Sequence, residues 1–112
     1  MEVLSEERSN RAWEAAERLG MSYKVDNRDM RFTDPFIAKL TDTTLELARG
    51  GLHPMSDAFI AKLAAFTVGG WFSEQMGGAR IRREDIDLML DIVAVVTAVL
   101  MRFRSLAVIP PD

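Results

Sequence analysis

The sequence contains no cysteine and a single histidine among its 112 residues. Without thiols the chain cannot form disulfides, thiolate metal sites or a cysteine nucleophile. One imidazole, His53, is too few for a histidine zinc site within one chain, and no serine stands in a nucleophile-elbow pattern. We therefore expect no catalytic residues, no metal and no other cofactor, and we expect that the protein is not an enzyme.

A strong charge of one sign is also lacking. The chain has 14 Lys and Arg against 17 Asp and Glu, for a net charge of -3. This balance argues against general binding to a phosphate backbone, so nucleic acid is not an expected partner.

Long, uninterrupted apolar runs are absent as well. The most apolar stretch, residues 86–101, contains Asp87 and Asp91, whereas a membrane span needs about 20 apolar residues. The N-terminal segment is acidic and polar, unlike a secretory signal. We expect no membrane association and a cytoplasmic location.

What is present is typical of a globular protein, with 48% apolar and 28% charged residues. A chain of this length corresponds to one domain, so we predict a single helical domain over residues 1–112. The predicted helices run from Ser5 to Leu19, from Thr33 or Asp34 to Gly50, from Ser56 or Asp57 to Gly77, and from about Glu84 to Phe103. Capping residues, a proline at one helix start and glycines at the ends define these bounds.

Two further features refine this prediction of an all-α bundle. Residues 21–32 have no helical period and are interpreted as a connector with at most a short strand. In the third helix, Phe66 and Trp71 would lie about 140° apart on a straight helix. We therefore predict a bend or break at Gly69-Gly70, which gives four to five helices.

A short internal repeat links the second and third helices. Residues 34–40 read DPFIAKL and residues 57–63 read DAFIAKL. The similarity indicates either an ancient duplication or two independent amphipathic helix starts. In both cases Phe36 and Phe59 are predicted to point into the core from equivalent positions.

The fourth predicted helix is apolar on nearly every side in its middle, which places it at the centre of the bundle. Its exception is Asp91, which shares a face with Glu84 and Asp87. Three interpretations are open for this acidic stripe: a solvated face, a salt link to an arginine, or a carboxylate metal site. The solvated face is favoured, because it needs no partner.

The fourth helix, together with Trp71, Phe72 and Phe103, has more apolar surface than the narrow apolar faces of the other three helices can cover. Such a surplus often marks an interface. We predict a helical protein-interaction or assembly module, such as a regulatory adaptor, an assembly chaperone or a small subunit of a complex. It would act as a homo-oligomer or on a protein partner. The predicted interaction residues are Trp71, Phe72, Met89, Asp91 and Phe103.

Two alternatives remain open. The first is a dimeric regulator that binds nucleic acid through Arg80, Arg82 and Arg83. The second is a helical bundle that binds an apolar ligand in a pocket lined by Met89 and the rest of the fourth helix.

Overall fold

A computed structural model describes residues 4–26, 29–53, 56–77 and 81–107, and within these ranges it shows four α-helices and one β-hairpin. The elements in chain order are α1 (Glu6–Arg18), β1 (Ser22–Lys24), β2 (Met30–Phe32), α2 (Asp34–Arg49), α3 (Asp57–Met76) and α4 (Arg83–Ala107). The predicted small helical bundle is confirmed.

Side chains predicted to cap the helices do so. The hydroxyl of Ser5 accepts a hydrogen bond from the backbone N–H of Arg8 at 3.2 Å. Ser56 caps α3 in the same way, accepting from Phe59 at 3.1 Å. Each bond satisfies one backbone donor that a helix start leaves without a partner.

Helix α1 ends in a Schellman motif that turns the chain into the hairpin. Gly20 has a φ of 79°, which is strained for other residues. The N–H of Met21 donates to Ala16 at 2.9 Å, and that of Gly20 donates to Glu17 at 3.1 Å. The Met21 side chain is fully buried, so the motif anchors the start of the hairpin to the core.

The connector between α1 and α2 contains two strands rather than at most one. Strand β1 pairs antiparallel with β2, with Tyr23 opposite Arg31. The partner that the sequence interpretation did not find therefore lies in the same connector. The Thr33 hydroxyl donates to the Gly20 carbonyl at 2.6 Å and ties the end of β2 to the end of α1.

The sequence predicts a bend or a break in the third helix. The break is wrong, because α3 is continuous through Gly69 and Gly70 and neither has a positive φ. Gly70 instead provides space for a neighbouring side chain. A Cβ atom there would lie 3.0 Å from Cε of Lys39, whose Nζ reaches Glu74 at 2.6 Å. The flexible end of the Lys39 side chain thus lies directly against Gly70 on the surface of α3, where a small shift of the lysine would accommodate a Cβ atom.

The core lies where α3 and α4 pack together, and α2 also packs against α3 and α1 against α4. Phe36 and Phe59 are both buried, as the repeat predicts. Besides them, the largest fully buried side chains are Met21, Ile92, Val68, Val96 and Thr67. Helix α4 contributes to the core along its length, but parts of its surface remain open.

Helix α1 packs through alanines. Ala12, Ala15 and Ala16 are all buried, and Arg8 on the same face pairs with Asp91 of α4. Small side chains allow two helix backbones to approach closely, so the thin apolar stripe of α1 is sufficient for packing.

Thr67 is fully buried at 0% exposure, and its hydroxyl has no hydrogen-bond partner among the described residues. Burying a hydroxyl without a partner costs about 1–3 kcal/mol. Thr67→Val keeps the β-branched shape and removes that hydroxyl. We expect it to raise the free energy of unfolding by about 1 kcal/mol, as measured by urea denaturation.

Thr97 provides the matched control. It is also buried, at 4% exposure, but its hydroxyl donates to the Val93 carbonyl at 2.7 Å. Thr97→Val therefore removes a formed hydrogen bond and should bring no gain. Equal changes in the two variants would contradict the assignment of a cost to the Thr67 hydroxyl.

Candidate interaction groove

An open groove runs between the N-terminal half of α2, the hairpin and the C-terminal half of α4. It consists of two adjoining hollows of about 790 and 470 Å³, which share Trp13, Asp29, Met30, Val99 and Phe103. The larger hollow is also lined by Tyr23, Arg31, Phe32, Asp34, Ile37, Leu40 and Leu100, and the smaller by Ser9, Val95, Ala98 and Arg102.

The groove follows from how the helices are arranged. Helices α2 and α4 both pack against α3, which leaves a space between them on the hairpin side. Leu40 lines this space from α2 and Leu100 from α4. Both side chains belong to or pack against the core, so the groove is an extension of the core that opens to solvent.

Large apolar side chains stand exposed around this groove. Phe103 of α4 is 56% exposed, and Tyr23 and Ile37 are also exposed. They come from three different elements, α4, β1 and α2. An exposed apolar patch built from several elements is typical of a contact surface.

The rim of the groove carries Asp29, Arg31, Asp34 and Arg102, all exposed. None of these four side chains forms an ion pair with another described residue. Elsewhere the structure does form pairs between elements, including Arg8 with Asp91 and Arg104 with Asp57. The rim charges are therefore available to a molecule that covers the groove.

Two of the predicted interaction residues point inward. Phe72 is buried in the core. Trp71 is half-buried, and its Nε1 donates to the Leu19 carbonyl at 2.7 Å. Its ring meets Phe36 edge-on, with centroids 5.6 Å apart. Both aromatic side chains hold the monomer together, and we do not include them in the contact surface.

Met89 is half-buried against the core and does not line the groove. Asp91 forms an ion pair within the chain, accepting from Arg8 at 2.6 Å and 3.3 Å. For Asp91 the expected solvated face is therefore wrong, and the salt link to an arginine is what the structure shows. Glu84 and Asp87, the other two residues of the acidic stripe, are exposed. Of the five predicted residues, only Phe103 belongs to the groove.

The other sequence predictions concern the arginines before the fourth helix, a carboxylate metal site and a membrane span. Arg82 and Arg83 are exposed at the start of α4, while Arg80 lies outside the described residues. Among residues 4–26, 29–53, 56–77 and 81–107, no group of three His, Cys, Asp or Glu side chains could hold a metal ion. None of the four helices, over the same ranges, is long and apolar enough to cross a membrane.

No protein-family profile, curated protein or solved structure matches the chain. The fold and the groove together define the class of molecule: a small helical bundle with a hairpin beside an open apolar groove.

Proposed function

We propose that this protein is a non-enzymatic interaction module whose groove binds an apolar part of a protein partner. The observation that carries the proposal is the exposure of Phe103, Tyr23 and Ile37 around one groove that continues the core. The sequence predicts a surplus of apolar surface on the fourth helix, and the proposal adds to Phe103 of α4 the exposed side chains of α2 and the hairpin.

The energetics favour coverage of this surface. Fully burying a large apolar side chain contributes about 1.5–3 kcal/mol. Phe103, Tyr23 and Ile37 are already about half-buried, so covering them contributes about half of that amount for each. Association itself costs about 4–15 kcal/mol, so a stable contact must also cover the other side chains that line the groove. Aromatic residues and arginine, both present here, are enriched at such contacts.

The shape of the groove favours a protein over a small ligand. Small-molecule sites usually enclose most of the ligand surface. Here Phe103 stands more than half exposed at the edge of the larger hollow, so a small molecule seated there would stay partly in water. A helix or a protein surface can instead cover the groove and its charged rim together.

Site-specific photocrosslinking tests this proposal. Phe103 and Phe66 are matched probes, because they are 56% and 58% exposed and only Phe103 lines the groove. Each is replaced in turn by p-benzoylphenylalanine, which resembles phenylalanine. Irradiation in the host cell should give a discrete protein adduct from position 103 and none from position 66.

Equal labelling from both positions, or no adduct from position 103, would contradict the proposal. The alternative of an apolar ligand predicts a different result. In that case native mass spectrometry of the purified protein shows a small added mass, and position 103 forms an adduct of that mass rather than one with a protein.

A further inference from the structure

We infer that the partner of the groove is a second copy of this chain, bound across a two-fold axis. The inference rests on the proposed function, because it assigns an occupant to the same groove. Its basis is the pattern of charge around the rim, together with the shape that each copy presents.

In a two-fold symmetric contact the same surface of each copy faces its equivalent. A rim of one sign would therefore repel itself, whereas a rim with equal numbers of both signs can pair with its own copy. Among the described residues that line the two hollows, Asp29 and Asp34 balance Arg31 and Arg102, so their charges sum to zero although the chain has a net charge of -3.

The absence of rim ion pairs within the described part of the chain supports the same conclusion. Arg31 and Asp34 line the larger hollow, and Arg102 lines the smaller one with Asp29. Each hollow is thus lined by an arginine and an aspartate that form no ion pair with each other. A second copy would supply the missing carboxylates and guanidinium groups in equal number.

The groove also offers both parts of a self-complementary contact. Phe103 is an exposed aromatic ring, and next to it the smaller hollow includes exposed Ala98, a small side chain. A ring from one copy can enter the hollow of the other, and symmetry repeats the contact. A partner of strong single charge would instead fit a rim of the opposite charge.

Two rim variants test this arrangement without requiring knowledge of which charges pair. Asp29→Arg changes the rim from neutral to positive, and Arg102→Glu makes it negative to the same degree. Each variant alone should dissociate at least about 10-fold more readily than the wild-type dimer, since like charges then face each other. An equimolar mixture should recover dimers that contain one copy of each variant.

Light scattering after size exclusion measures the mass, and native mass spectrometry identifies the mixed dimer. Asp42→Arg and Arg49→Glu are the controls, because they make the same charge changes at exposed positions of α2 outside the groove. They should leave the dimer unchanged. Thermal melts of all four variants confirm that each remains folded.

A wild-type chain that is monomeric at its highest soluble concentration would overturn the inference, as would a mixture of rim variants that does not associate. If position 103 still crosslinks to a different protein, the proposed function stands and only the second copy is excluded. If position 103 crosslinks to no protein, the proposed function itself fails.

Discussion

Phe36→Ala is expected to lower the free energy of unfolding by about 3–5 kcal/mol. Phe36 is fully buried, with its ring centroid 5.1 Å from that of Phe32 and 5.6 Å from that of Trp71. It therefore joins α2 to the hairpin and to α3. Truncation removes the ring contacts with Phe32 and Trp71 and leaves a cavity. The cavity can close only if α2, α3 and the hairpin all move toward one another.

Because a domain of this size is stable by about 5–15 kcal/mol, this loss is a large part of the total. Urea denaturation measures it, and Phe66→Ala is the control, since the exposed Phe66 side chain should change stability by less than about 0.5 kcal/mol. A loss below 1 kcal/mol at Phe36 would contradict the packing described for the hairpin.

Ala12→Leu is expected to destabilise the fold by about 1–3 kcal/mol. Ala12 is fully buried on the face of α1 that carries Arg8 toward Asp91 of α4. A leucine side chain has no space there unless α1 moves away from α4. That movement would also lengthen the contact between the Arg8 guanidinium and the Asp91 carboxylate.

Ala65→Leu places the same substitution at an exposed position of α3 and should leave the unfolding midpoint in urea nearly unchanged. A gain in stability from Ala12→Leu would show that the interface between α1 and α4 contains unfilled space, contrary to the close approach that the buried alanines indicate.

Local chemistry was sufficient to predict most of the fold. Thr33 or Asp34 as a capping residue, with Pro35 in the first turn, predicts the start of α2, and Thr33 is the cap that the structure shows. The shared letters of the repeat predicted that Phe36 and Phe59 are both buried. These signals act within one or two helical turns, so they can be interpreted without knowledge of the tertiary structure.

The features that were missed depend on contacts between distant residues. The sequence predicts a bend or break at Gly69-Gly70 that would bury both Phe66 and Trp71, but Phe66 is exposed and α3 has no break there. Gly70 lies against the side chain of Lys39 from α2. No pattern within α3 indicates that contact.

The groove was missed for the same reason. Its exposed side chains Tyr23, Ile37 and Phe103 come from three elements, and only Phe103 was predicted to be an interaction residue. Ile37 follows buried Phe36 directly, yet it is 47% exposed and lines the groove. Which of two neighbouring apolar residues is covered depends on the elements that pack against α2, and the pattern within the helix does not contain that information.

The pairing of α1 with α4 has a consequence for how the chain is made. Arg8 and Asp91 are 83 residues apart in sequence. At a synthesis rate of about 5–20 residues per second, α1 leaves the ribosome roughly 4–17 s before its partner helix does. During that interval its alanine face has no α4 to contact. The docking of the first helix against α4 must therefore wait until α4 has been translated.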